Sequence, residues 1–216
     1  MSDVASVKQQ VLVVAKDMLR KGLTEGTAGN ISARLADGHI VITPSSVDYE
    51  AMVLDDLCVI DLDANPIEGE RSPSSEKLLH LACYRAFDDV QSVIHAHPVY
   101  ATMFAVARQP IPACIDEFSI YAGGEVAVTE YAMSGTPEVG ANAVAVLEGR
   151  GAALLANHGM VAVGPTPARA LHVTALVERC AQIVWGARLL GQVHPLPPDV
   201  NETFASYYQF FRSNPV

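Results

Sequence analysis

Hydrophobic and polar positions change period several times along the chain, and each change marks an element. Over residues 4–21 apolar side chains recur at Val7, Val11, Val14, Ala15 and Met18. That single stripe predicts an amphipathic helix, closed by the basic Arg20-Lys21 and then Gly22, as helix C-termini favour. Ser32–Ala36 and His39–Thr43 flank Asp37-Gly38 and read as a hairpin. Cys58–Leu62 predicts a strand ended by the turn Asp63-Ala64-Asn65-Pro66. Beyond Arg71-Ser72-Pro73-Ser74-Ser75-Glu76, the side chains Leu78, Leu79, Ala82, Cys83 and Ala86 fall on one helical face. The β-branched run Ser92–Pro98 reads as a strand, and Pro98 can start a helix to about Ala107. Ile111–Gly124 shows neither period and carries Asp116-Glu117 among apolar neighbours.

Glu125–Glu130 predicts a strand, and Thr136-Pro137 the cap and first position of a helix to about Glu148. Ala152–Ala156 is a continuous apolar strand ending in Asn157-His158-Gly159, with Met160–Val163 after it. Thr166-Pro167 opens the longest helix, which ends near Leu190-Gly191. From about residue 192 the chain reads as a tail, proline-spaced and then aromatic (Phe204, Tyr207, Tyr208, Phe210, Phe211), of the kind that docks on its own body or on a neighbour. Repeats and long linkers are lacking, so one α/β domain over residues 1–216 is expected, with a largely antiparallel or mixed sheet and helices on its faces.

Composition narrows the class. The 216 residues are 50% hydrophobic and 18% charged, enough for a large core and too apolar for wholesale disorder. A net charge of −10 argues against a nucleic-acid surface and against anionic membranes, though not against an anionic small molecule. Lys8, Lys16, Asp17 and Arg20 interrupt the first apolar stretch, so it does not read as a signal peptide, and no run approaches the roughly 18 apolar residues of a membrane span. Cys58, Cys83, Cys114 and Cys180 lack C-x-x-C spacing and read as reduced thiols of a cytoplasmic protein.

The candidate chemistry begins at His95-Ala96-His97. Side chains at i and i+2 of a strand share a face, so the two imidazoles point the same way and form half of a transition-metal site, with zinc the best-suited ion. His158 follows another buried strand, with Gly159 leaving room beside it, and is the natural third ligand. Three imidazoles would leave the metal an open position, as catalytic sites do. The loop Thr24–Ser32, with Gly26, Gly29 and Asn30, suits close backbone approach to an anion as well as a plain helix-to-strand connection. Thr43-Pro44-Ser45-Ser46 sets further hydroxyls at a strand end, and the helix start at Ser74-Ser75 offers N–H groups. Glu76 has an ordinary reading as an acid favoured by the helix dipole. His39, His80, His172 and His194 are expected to be non-ligands, His80 lying on the polar side of its helix.

Taken together, the Gly-Thr-Ala-Gly-Asn loop, Ser-Ser-Glu, His-x-His and Asn-His-Gly motifs resemble the class II (zinc-dependent) aldolase family, which contains L-fuculose-1-phosphate aldolase and L-ribulose-5-phosphate 4-epimerase. The resemblance runs from about residue 10 to 190. It implies a single-domain α/β/α sandwich around a mostly antiparallel sheet, assembled as a homotetramer with active sites between subunits. It implies one zinc per chain on His95, His97 and His158, with Glu76 as acid/base and a possible fourth ligand, and substrate phosphate held by Gly29, Asn30, Ser45, Ser46, Ser74 and Ser75. The implied reaction is a lyase cleavage of a phosphorylated sugar into dihydroxyacetone phosphate and an aldehyde. At Asp116 the chain departs from the fuculose-phosphate pattern, which has a tyrosine there, and resembles the epimerase branch, whose aspartate is an acid/base. Epimerases and decarboxylases on the same scaffold are the alternatives, followed by a non-catalytic adducin-head-like interaction domain, a branch that lacks the histidine set.

Overall fold

The computed structural model describes residues 4–214. Its strands are β1 (Asn30–Arg34), β2 (Ile40–Ile42), β3 (Cys58–Ile60), β4 (Pro66–Glu68), β5 (Ser92–Ala96), β6 (Ala152–Leu155) and β7 (Gly159–Gly164). They form one sheet in the order β4-β3-β2-β1-β5-β7-β6, and every neighbouring pair is antiparallel. The helices are α1 (Val4–Arg20), α2 (Lys77–Ala86), α3 (Val99–Ala107), α4 (Asp116–Ala122), α5 (Pro137–Leu147), α6 (Pro167–Leu190) and α7 (Pro198–Ser213). Among the described residues no helix is long and apolar enough to cross a membrane.

The period-two alternation of the strands sorts the core into layers. Ile31, Ala33, Val41, Ile94 and Ala96 face α1 through Val11, Ala15 and Met18. Ile40, Ile42, Ile60, Val93, Val161 and Val163 face the opposite way, onto Leu79 and Cys83 of α2 and Val139, Ala143 and Leu147 of α5. A third cluster packs α3, α4 and α6 onto Leu154, Met160 and Ala162. Each fully buried aliphatic side chain contributes about 1.5–3 kcal/mol relative to exposure, so both sheet faces are strongly covered. This is the α/β/α arrangement expected. The same alternation has a consequence for chemistry. Asn30, Ser32 and His95 fall on the α2/α5 face, and Asn30 and His95 are direct cross-strand partners.

Several elements differ from expectation. Glu125–Glu130 is extended but makes only single bridges, Val126 to Ile111 and Val128 to Leu154, because it changes partner before a ladder can form. Ile111–Gly124 contains the short helix α4, ended by Gly123 at φ 83°. The turn after β3 feeds the exposed edge strand β4, where Pro66 is tolerated because an edge leaves one side unpaired. β5 ends at Ala96 rather than Pro98. Beyond residue 192 lies the helix α7, docked on the chain's own body: Tyr208 and Arg212 are buried, and Arg212 pairs with Asp89 and lies 5.1 Å over the Phe87 ring.

Candidate metal centre

His95 is completely buried on β5, and its Nδ1 lies 2.9 Å from the Met160 carbonyl oxygen on the neighbouring strand. A carbonyl only accepts, so Nδ1 carries the proton and donates, which leaves the Nε2 lone pair free. His97 sits just past the strand end, yet its ring stays 4.6 Å from that of His95, with the two Nε2 atoms 2.8 Å apart. His158 comes from the three-residue turn between β6 and β7, where Asn157 takes φ 55°. Its ring lies 4.6 Å from His95 and 4.9 Å from His97. Gly159 permits this approach. A Cβ there would stand 2.5 Å from the Ala96 carbonyl oxygen and 2.6 Å from His97 Cδ2.

Glu76 completes the cluster. Its Oε2 is 2.7 Å from His95 Nε2 and its Oε1 3.4 Å from His158 Nε2. Glu76 is the N-cap residue of α2, where the helix dipole favours an acid, but its side chain makes no cap and turns to the histidines instead. Ser74 does that work: its Oγ accepts from the Glu76 N–H at 3.2 Å. Burial alone would raise the Glu76 carboxyl, but a hydrogen bond and attraction from His95 when its Nε2 is protonated as well, the attraction of His158 and a hydrogen bond from Asn30 bring it down to about 2. Burial lowers His97 to about 4 and lowers His158 too, opposing their charged forms.

One ligand atom from each of Glu76, His95, His97 and His158 lies within 4.8 Å of all the others. These are Lewis bases turned on one another, and Glu76 Oε1 is buried without a hydrogen-bond partner. A cation between them would satisfy the whole set, and the nitrogen-and-oxygen donors suit a divalent transition metal.

The cluster opens into a cavity of about 280 Å³, and every residue expected to hold phosphate lines it: Gly29, Asn30, Ser45, Ser46, Ser74 and Ser75. Two loops are zipped together to form its wall, by Ser45 N–H to the Ser72 carbonyl and Ser74 N–H to the Thr43 carbonyl. Gly29, at φ 75°, brings the first loop against β5; a Cβ there would stand 2.8 Å from the His95 carbonyl oxygen. Ser46 is left-handed at φ 59°, uncommon for a non-glycine residue and set directly on the cavity. None of the lining residues is Lys or Arg, so an anion here would be held by hydroxyls and N–H groups.

Asp116 is not brought to this cavity. It is exposed in the first turn of α4, a position a helix dipole favours, so it avoids the cost of burial by facing water. His80 is a correction of another kind. It is not on a polar face but fully buried, because Ser32 and Asn30 of β1 face α2 and need partners. Thr27, Ala28, Ser134 and Gly135 also line the cavity. No motif marks Ser134 and Gly135; their place depends on how the loop before α5 folds back.

The family described as Class II Aldolase and Adducin N-terminal domain matches residues 9–185. A 5-deoxy-D-ribulose 1-phosphate aldolase of Bacillus thuringiensis serovar kurstaki is 34% identical over 203 residues, spanning 94% of this chain and 95% of its own. An L-fuculose phosphate aldolase of Escherichia coli strain K12 is 32% identical over 205 residues, 95% of this chain and 94% of its own. A solved structure of an L-fuculose 1-phosphate aldolase superposes with a TM-score of 0.90 at 40% identity, covering 94% of this chain and 96% of that one.

Proposed function

The chain belongs to the class II aldolase and adducin N-terminal domain family and is a class II aldolase-like enzyme, and from that premise we propose that it reversibly cleaves a small ketose 1-phosphate, of the L-fuculose 1-phosphate type, into dihydroxyacetone phosphate and an aldehyde. One observation carries this reading: Glu76, His97 and His158 of the metal-ligating cluster line the same cavity as the serine hydroxyls, with His95 buried behind them. A phosphate at one end would set the reacting carbons beside the other, and such positioning is a large part of catalysis. Two of the proteins named above are, by name, aldolases of a ketose 1-phosphate, which supports the substrate class.

His95, His97 and His158 would hold a zinc ion, with Glu76 near enough to be a fourth ligand in the resting enzyme. When bound, the ion would supply Lewis-acid polarisation of the substrate's adjacent hydroxyl and carbonyl oxygens. Gly29, Asn30, Ser45, Ser46, Ser74 and Ser75 bind and orient the phosphate. Glu76 Oε1, buried and without a hydrogen-bond partner, moves the proton at the carbon that parts from the aldehyde fragment.

We further propose a cytoplasmic homotetramer. Val99, Met103 and Val106 of α3, with Ile183, Trp185 and Leu189 of α6, are exposed apolar side chains suited to a second copy. In that assembly Asp116 would serve a neighbouring copy's cavity. The four cysteines are free thiols, in keeping with a reducing compartment.

Incubating zinc-loaded protein with a panel of ketose 1-phosphates, with dihydroxyacetone phosphate and CO₂ assayed separately, tests the reaction. Dihydroxyacetone phosphate is expected from the ketose 1-phosphates, and no dihydroxyacetone from the unphosphorylated sugars. Release of CO₂ without it would move the assignment to a decarboxylase. A monomer by light scattering at micromolar concentration would refute the tetramer.

A further inference from the structure

Behind the cavity a line of buried polar groups runs from Glu76 into the helix-covered face of the sheet. Asn30 Nδ2 stands 3.5 Å from Glu76 Oε2, and Asn30 Oδ1 is 2.5 Å from His80 Nε2. His80 Nδ1 is 2.6 Å from Ser32 Oγ, which is 2.7 Å from the Tyr84 hydroxyl. Ser32 and His80 are fully buried, and Tyr84 and Asn30 are nearly so.

The hydrogen bonds at one end assign the protons in the line. Asn30 Nδ2 donates to Glu76 Oε2, which leaves the Asn30 carbonyl oxygen facing His80. That oxygen needs a donor, so His80 carries its proton on Nε2. Burial keeps His80 neutral, lowering it to about 3, so Nδ1 is bare and accepts from the Ser32 hydroxyl. Ser32 Oγ in turn accepts from the Tyr84 phenol, which burial keeps protonated.

We propose that His80 is a positioning residue: by donating from Nε2 to Asn30 Oδ1 it locks the Asn30 amide with its N–H bonds toward the cavity, one for Glu76 and one for the substrate's anionic group. The need for a lock is physical. The Asn30 backbone is fixed by its pairing with His95, but the last torsion of an asparagine is broad and has to be set by its partners. A flipped amide would set its carbonyl against a carboxylate and its NH₂ against the His80 N–H. Among the described residues, Asn30 is the side chain that donates to Glu76 without being a candidate metal ligand itself. The lock follows from this geometry alone; its consequence for turnover rests on the aldolase reading.

Three variants of the metal-loaded protein test it. His80→Leu removes both hydrogen bonds at similar volume, whereas His80→Gln can still offer one N–H and one carbonyl. Tyr84→Phe leaves Ser32 free to donate. His80→Leu is expected to weaken inorganic phosphate binding and raise KM by roughly 10-fold, the cost of one unmade buried hydrogen bond, with a smaller fall in kcat and unchanged metal content. His80→Gln and Tyr84→Phe should stay within about 3-fold of wild type. Independently of activity, the Asn30 side-chain NH₂ pair in a ¹H–¹⁵N spectrum, assigned by its loss in Asn30→Asp, should exchange slowly in wild type and His80→Gln. In His80→Leu it should exchange at least about 10-fold faster. Should His80→Leu not fold, Ser32→Ala is expected to speed the same exchange, because it frees His80 to swap its ring proton. An Asn30 amide equally protected in the variants that fold would overturn the lock. Wild type inactive on every ketose phosphate, but with the expected exchange pattern, would sink the aldolase reading and leave the lock standing.

Discussion

At one end of the cavity three imidazoles hang from the ends of buried strands; at the other, four serines and a glycine sit on loops, two of the serines exposed. The first end gathers strong donors on backbone held from both sides, since β5 and β7 are inner strands of the sheet. The second spreads weak donors over three loops and has no cationic side chain among its lining. A metal site needs a few atoms placed closely, whereas a phosphate can be held by many groups each contributing modestly. Changes at the metal end should therefore act as switches, and changes at the anion end should be graded.

The hardest test of that contrast is Gly159→Ala, whose new methyl would press on the Ala96 carbonyl and the His97 ring. It should abolish tight metal binding and cost about 1–3 kcal/mol of stability; elemental analysis and thermal unfolding read both. Full metal content would show that the turn has slack and the site is less rigid than argued. Glu76→Gln should keep most of its metal, because the three imidazoles remain, and lose roughly 100-fold or more in turnover. Normal turnover would return Glu76 to an ordinary helix-start acid. At the anion end, Ser75→Ala should raise KM several-fold, on the order of one hydrogen bond, with little change in kcat. Inorganic phosphate should compete with substrate, and a pure kcat effect would place Ser75 in the chemistry instead. The smallest effect on the folded chain belongs to Asp116→Asn. Metal content should stay unchanged and stability should shift by no more than about 0.5 kcal/mol, as for an exposed helix-start acid. One flattened limb of the pH–rate profile would show that the side chain reaches a neighbouring copy's cavity.

Much of this was legible before the structure. The His-x-His pair, His158 and both hydroxyl loops stand out because strand alternation and turn chemistry are local rules. Where expectation failed, a distant partner had decided the matter. His80 reads as a polar-face residue from the pattern of α2 alone. It is buried because β1 sets Ser32 and Asn30 opposite it and offers hydrogen bonds at both ring nitrogens. Glu125–Glu130 has strand composition, but its two partners lie in different parts of the fold. The tail's aromatics announced docking, yet of them only Tyr208 is buried, with Arg212 against Phe87 and Asp89, while Tyr207, Phe210 and Phe211 stay exposed, an outcome that follows from the surface the helix meets.

By itself the sequence determined which side chains can bind metal, which faces of the strands are apolar, and where the chain must turn, because each depends on residues within a few positions of one another. Only the tertiary structure decided that Glu76 turns from its helix to His95, that Asn30 pairs with His95 across two strands, and that Asp116 stays outside the cavity. Those outcomes depend on antiparallel register and on buried hydrogen bonds between residues 46 to 50 positions apart. Burial makes an unpaired polar group costly, so distant residues settle one another's orientation, and no local pattern carries that information.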